Sequence, residues 1–215
     1  MDFNSILNQV LGSVQQSVKN TMAGGNSTTD KVTKYGATAA GIGILSMIFG
    51  RNGGSGLAKI GSLAALGSLA YQAYQDFQKS RTESPTAEID QTHFEPTEAQ
   101  AEDTSKLILQ VMIAAAASDG AISDEERRAI QAQAGEDSEA RQWIDLQMQQ
   151  PVSPEMIAKQ VNGNPALAAQ VYLAARLVCA DLDRKEIIFL SRLAAALGLD
   201  DALVEELEKK AGLSA

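Results

Sequence analysis

The sequence predicts an all-α fold, and three observations carry that expectation. Aromatic residues make up only 5% of the chain, while Ala, Leu, Gln and Glu are abundant. Alternating Val/Ile/Thr patterns, which suit a pleated surface, are scarce. From residue 97 onward, residues that cap helices recur at the spacing that opens them. With 215 residues the chain is long enough for one well-cored domain and an attachment. The reading divides it into an amphipathic helix and flexible connector over 1–34, a Gly-rich apolar segment over 35–79, a linker over 80–96 and an acidic helical domain over 97–215.

Residues 2–18 carry Phe3, Ile6, Leu7, Val10, Leu11, Val14 and Val18 at helical spacing, with Asn, Gln and Ser opposite. Polar residues interrupt the stretch throughout, so it is not a signal peptide. Its polar face lacks Lys and Arg, which favours a partner helix over a membrane surface as its cover. After the connector come two uncharged runs of 16 residues, Tyr35 to Gly50 and Ile60 to Gln75, separated by a turn-like RNGGSG. Each is roughly 24 Å long as a helix, against a hydrocarbon core of about 30 Å. Three arrangements fit: a single span by the first run with Lys34 and Arg51 snorkelling, a hairpin in the membrane, or burial of the runs against each other. Small residues four apart, such as Gly36/Ala40 and Gly61/Ala65, allow close helix approach in lipid. The expectation is membrane association, with the first run the better span because Ser68, Gln72 and Gln75 dilute the second.

Ser80 to Pro96 has two prolines, scattered acids and no apolar period, so it reads as a linker. His93, the only histidine, lies in it and is given no functional role. From Thr97 about seven short helices follow. Thr97 and Gln100 have capping-box spacing, opening a helix to about Ser118 with the apolar stripe Leu107, Ile108, Val111, Met112 and Ala115. Ser123 and Glu126 repeat the spacing. A third helix covers Ser138 to Gln149. Ser153-Pro154 and Asn164-Pro165 each pair an N-cap residue with proline at the first helical position. The helix from Pro165 runs to about Ala180, another follows Asp183 to a C-cap at Gly198, and the last spans Asp201 to Ala211. The single Cys179 excludes an intramolecular disulfide and reads as a buried thiol.

Charge is divided unequally. Residues 1–82 hold seven Lys/Arg and three Asp/Glu, whereas residues 83–215 hold eleven and twenty-four. An apolar, mildly basic front before an acidic rear suits a membrane-attached module carrying a helical domain, and the rear repels phosphate backbones, which argues against nucleic acid.

Two acidic junctions share a layout. An apolar helix ends in Asp119 or Asp181, and a glutamate, Glu126 or Glu186, stands in the first turn of the next helix. This suggests duplication of a helix pair. A carboxylate at a helix C-terminus opposes the macrodipole and invites a compensating group. That group is either a cation or the amide hydrogens of the following helix. A cation held by oxygen ligands alone would be hard, calcium or magnesium, since no His or Cys stands nearby for zinc. The stretch is not an EF-hand, because Ala121 falls where an acidic ligand belongs.

The residues SDGAISDEER (Ser118 to Arg127), DLDRKE (Asp181 to Glu186) and LAAALGL (Leu193 to Leu199), behind a Gly-rich apolar segment, carry a resemblance. The chain resembles the YebE-like bacterial inner-membrane proteins, a family of unknown function whose C-terminal region is similar to the tellurite-resistance TerB fold. The resemblance implies a TerB-like bundle with pseudo-twofold halves, an inner-membrane location with the acidic domain on the cytoplasmic side, and an acidic metal-binding cluster. Carried onto this chain, the cluster is Asp119, Glu126, Asp181, Asp183 and Glu186. One departure is that Asp181 lies five residues before its glutamate and Asp119 seven before its own.

The function expected is a non-catalytic, membrane-tethered helical module that binds a partner protein or senses a divalent cation. The alternatives are a structural oligomerising envelope protein and a carboxylate metal-dependent hydrolase. No nucleophile–base pairing or phosphate-binding loop is legible. If the junctions form a site, Asp119 and Glu126 face Asp181 and Glu186 across a twofold axis.

Overall fold

The computed structural model describes residues 2–12, 61–80, 89–118, 137–179 and 182–213. Among these, every regular element is a helix. Residues 3–12 form α1. α2 is Leu63–Ser80, a 3-10 turn covers Gln91–Phe94, and α3 is Glu98–Ala116. α4 (Ser138–Gln149), α5 (Pro154–Val161), α6 (Pro165–Val178), α7 (Arg184–Leu197) and α8 (Asp201–Ala211) follow. The expected helices after residue 97 are present within two residues of their caps, except the one expected to open at Ser123, which lies outside the described residues.

The starts are fixed by local chemistry. The N–H of Thr97 donates to Gln100 Oε1 at 3.3 Å, the back half of the expected capping box. Asn164 Oδ1 accepts from the amides of Ala166 and Leu167 (3.0 and 3.1 Å), and Ser153 Oγ accepts from Met156 at 3.4 Å. Proline at the first position of α5 and α6 removes an amide that had no helical partner. Between them the chain reverses at Asn162 and Gly163, both left-handed, with φ of 53° and 71°. Neither asparagine nor glycine resists that region as other residues do.

α6 is the axis of the packing. Twelve of its fourteen residues are buried, as expected of a helix apolar on all sides. α3 and α2 pack on it most extensively, with α7, α8 and the 3-10 turn around them. Alanines at 168, 169, 174 and 175, each at most 2% exposed, leave room for that many neighbours.

α1 joins this core through Phe3, Ile6, Leu7, Val10 and Leu11, so a partner helix covers its apolar face. Its first turn is capped from two directions. Asp2 Oδ1 accepts from the Ser5 amide at 2.8 Å, and Glu102 of α3 accepts from the amides of Phe3 (2.8 Å) and Asn4 (3.3 Å). A carboxylate there also meets the positive end of the helix dipole. Phe3 stacks edge-on against Trp143 of α4 with centroids 4.7 Å apart.

The expectation of a membrane-associated segment over 35–79 is corrected in its second run. Among the described residues no helix is long and apolar enough to cross a membrane. α2 instead buries Leu63, Leu66, Leu69, Ala70, Ala73 and Phe77 against α8, α6 and the 3-10 turn. The run lacks charge but not polarity: Ser68, Gln72 and Gln75 fall on the side away from the buried stripe, so its period is that of an amphipathic core helix. The first run, 35–50, lies outside the described residues.

Part of the expected linker is anchored as well. Asp90 caps the 3-10 turn by accepting from the Thr92 amide at 3.2 Å. Phe94 is fully buried, beside Tyr71 and Tyr74 of α2. Its carbonyl accepts from Gln170 Nε2 at 3.2 Å and lies where a side chain at residue 67 would start: a Cβ on Gly67 would sit 2.2 Å from it. Gly67 is in helical conformation, so alanine there would ordinarily gain up to about 1 kcal/mol. The clash reverses the sign. Gly67→Ala is expected to lower the unfolding free energy by about 1–3 kcal/mol, read as a lower urea midpoint with unchanged slope. A midpoint at or above that of the parent chain would show that the Phe94 corner yields freely.

Candidate functional site

The second acidic junction begins where α6 ends. Its last turn carries Arg176, only 3% exposed. Nη1 donates to the carbonyl of Cys179 at 2.8 Å, Nη2 to the carbonyl of Leu213 at 2.7 Å, and Nε to Glu208 Oε1 of α8 at 3.1 Å. Tyr172 O–H donates to the same Glu208 oxygen at 2.9 Å. Burial pushes the phenol far above its ordinary range, and the adjacent carboxylate adds to the effect. The positive charge that the carbonyl end of α6 calls for is therefore supplied by the chain itself, through Arg176. The compensator expected for Asp181 was a bound cation or the amides of the next helix; Asp181 lies outside the described residues, and an arginine one turn back meets the carbonyl end of α6. The signal was present, because an arginine inside an apolar helix must have partners.

Leu182, left-handed at φ 47° and packed against the core, precedes the next helix. Asp183 then opens α7. Its Oδ1 accepts from the amides of Lys185 (2.7 Å) and Glu186 (2.8 Å), while Glu186 Oε2 accepts from the Asp183 amide at 3.0 Å. This is a complete capping box. Of the five carboxylates expected to form a metal cluster, Asp183 and Glu186 are thus joined to each other through the backbone of one helix start. Asp119, Glu126 and Asp181 lie outside the described residues, as does the facing of the two pairs across a twofold axis. Among the described residues no group of three or more His, Cys, Asp or Glu side chains is gathered closely enough to hold an ion.

α7 displays what the sequence reading missed. Its buried residues are Leu190 and Leu193. Ile187 and Ile188 are each 51% exposed. Arg184 and Lys185 precede them and Arg192 follows, all exposed. The signal was IIFL at 187–190: four consecutive apolar residues sweep roughly 300° of a helix, wider than one buried face. Met156 of α5 and Leu146 of α4 are the other large apolar side chains with about half their surface open among the described residues.

α5 and α7 pack together, and Arg192 Nη2 reaches Glu155 Oε1 of α5 at 2.7 Å with both side chains more than half exposed. The Arg192 hydrogen bond, helped by the Glu155 amide and Ser153, draws the Glu155 carboxyl from its ordinary 4.5 down to about 2. A separate cleft of about 610 Å³ opens between the 3-10 turn and the first turns of α3 and α6, lined by His93, Glu95, Thr97, Asp103, Lys106 and Asn164 among others. Its lining is polar and apolar in equal measure, and its Thr97 and Asn164 serve as helix caps.

The Glu155 pair has a definite pH signature. A carboxyl depressed by folding stabilises the fold above its unfolded pKa, and that contribution is lost as pH falls through the folded value. The difference in urea midpoint between the parent chain and Glu155→Gln is expected to be constant above about pH 5, to shrink between pH 4.5 and 2, and to be smaller throughout in high salt because the pair is exposed. A difference that grows on acidification would contradict the pairing.

No curated protein and no solved structure matches the chain. A family model described as "Protein of unknown function (DUF533)" matches residues 32–211, a range that includes α2 to α8 and the uncharged run before them. The chain belongs to the DUF533 family.

Proposed function

We propose that this DUF533 protein is a non-catalytic helical module held at a membrane by the run Tyr35 to Gly50, with its helical body presented to a binding partner. One observation carries the reading: a 16-residue run without charge, bracketed by Lys34 and Arg51, precedes a body in which the other uncharged run is used up as core helix α2. The tether is then the first run alone, short for a bilayer and helped by its snorkelling ends. The finer fold is a TerB-like bundle whose two halves are headed by α3 and α6, which pack together. The likeness to YebE-like proteins supports an inner-membrane location with the acidic body in the cytoplasm. In this reading the acids of the junctions shape helix starts, as Asp183 does.

An arginine in the middle of the run costs about 2.5–3.5 kcal/mol on an insertion scale, and one nearer its end costs less. Ile44→Arg with Ile48→Arg is therefore expected to move the chain from the carbonate-washed membrane pellet to the supernatant. A parent chain already in the supernatant would remove the tether.

A second reading, a calcium or magnesium site at the acidic junctions, is supported by the repeated layout Asp119/Glu126 and Asp181/Glu186. Asparagine caps a helix about as well as aspartate, so Asp183→Asn separates the two roles. If the junction binds a cation, the parent chain melts higher in millimolar calcium or magnesium and the variant loses that increment, with equal melting in chelator. Equal melting of both proteins in every buffer leaves Asp183 as a cap alone.

A further inference from the structure

We propose that the outward face of α7 docks on a surface of anionic lipid headgroups. This rests on the tether reading and adds the orientation of the body. Arg184, Ile188 and Arg192 stand four residues apart, which places them in one row along the helix, and Ile187 lies beside that row. Both isoleucines are half exposed, and the neighbouring Lys185 is exposed.

Two charge facts select the occupant. α7 carries three of the eleven Lys/Arg of residues 83–215 with one of the twenty-four acids, so it is a positive stripe on a body that an anionic membrane otherwise repels. The pairing of basic side chains with branched aliphatic ones on a single helix face suits the boundary between headgroups and hydrocarbon. Arg192 is engaged by Glu155, but in an exposed pair that exchanges for a lipid phosphate at little cost. A tether keeps the body at high local concentration over that surface. α7 would then face the bilayer while Leu190 and Leu193 hold it to the core.

The test is flotation of the full chain with phosphatidylcholine vesicles and with vesicles that also contain phosphatidylglycerol. It compares the parent, Arg184→Gln/Lys185→Gln, Ile187→Ser/Ile188→Ser, and a charge-matched control, Lys79→Gln/Lys209→Gln, with circular dichroism confirming each fold. Binding to phosphatidylcholine is expected to be equal in all four, through the tether. The anionic lipid is expected to tighten binding for the parent and control only. The Arg184/Lys185 variant loses roughly thirtyfold, at about 1 kcal/mol for each basic residue near such a surface, and the isoleucine variant also weakens. Equal anionic binding by parent and α7 variants overturns the docking, as does an equal loss in the control. A crosslinked dimer that the isoleucine variant abolishes without any change in flotation overturns it in favour of a second copy on this face. Flotation only with anionic vesicles, lost in the α7 variants, upholds the docking and removes the tether; no flotation with either vesicle removes both.

Discussion

α6 is enclosed on all sides, and the rest of the structure depends on the partners that its two buried polar side chains take. Gln170 is 2% exposed and Arg176 3%. Leaving either side chain wholly without partners in such surroundings costs kilocalories; Gln170 Oε1 has none, so that amide is held through Nε2 alone. Gln170 sits in the first half of the helix and takes the carbonyl of Phe94; Arg176 sits in the last turn and takes Glu208 and the carbonyls of Cys179 and Leu213. One residue thus holds the segment that precedes α3, and the other holds the end of the chain. Between these anchors, alanines and branched aliphatics supply the packing, and the absence of side-chain bulk lets α2 and α3 approach together.

The same logic extends to the turn between α6 and α7. The carbonyl end of α6 calls for positive charge, and Arg176, shared with Glu208, provides it from inside the fold, while Asp183 satisfies the amides that open α7. Charges that look unpaired along the sequence are paired through the backbone. What remains on the outside of α7 is a row of basic and aliphatic side chains that the core does not require. α5 carries less of that surplus: its buried Pro154, Ile157 and Val161 account for one face, and its outer side holds Glu155, Lys159 and the half-open Met156.

Elements with a complete local signature were legible. Asn164-Pro165, Ser153-Pro154 and Asp183 with Glu186 each bring their own cap, and their helices begin where the sequence placed them, because an N-cap needs only atoms two or three residues away. The apolar stripe of residues 3–12 was equally plain. α2 was misjudged for a physical reason: an uncharged Ala/Gly/Leu run has the same composition whether lipid or protein surrounds it, and only the side taken by Ser68, Gln72 and Gln75 separates the two. The 3-10 turn was hidden because its worth lies in one residue, Phe94, and in a glycine 27 positions earlier that makes room for a carbonyl. Of the candidate site, the start of α7 after Asp183 was read from the sequence, whereas the box that joins Asp183 to Glu186 and the partners of Arg176 were not, although the Asp-x-x-Glu spacing and an arginine inside an apolar helix were both signals.

By itself the sequence determined the helical class, most helix limits from residue 97 onward, the acidic rear and the cover of residues 3–12 by a partner helix. Each of these follows from interactions within about a turn or from a periodicity read along one segment. Only the tertiary structure decided that α2 is core, that residues 89–96 are bound down, that Arg176 closes α6, and that Ile187 and Ile188 are left over. Those depend on which segments meet across about 30 to 130 residues, and a helix carries no mark of its neighbour beyond the shape and polarity of the face it offers.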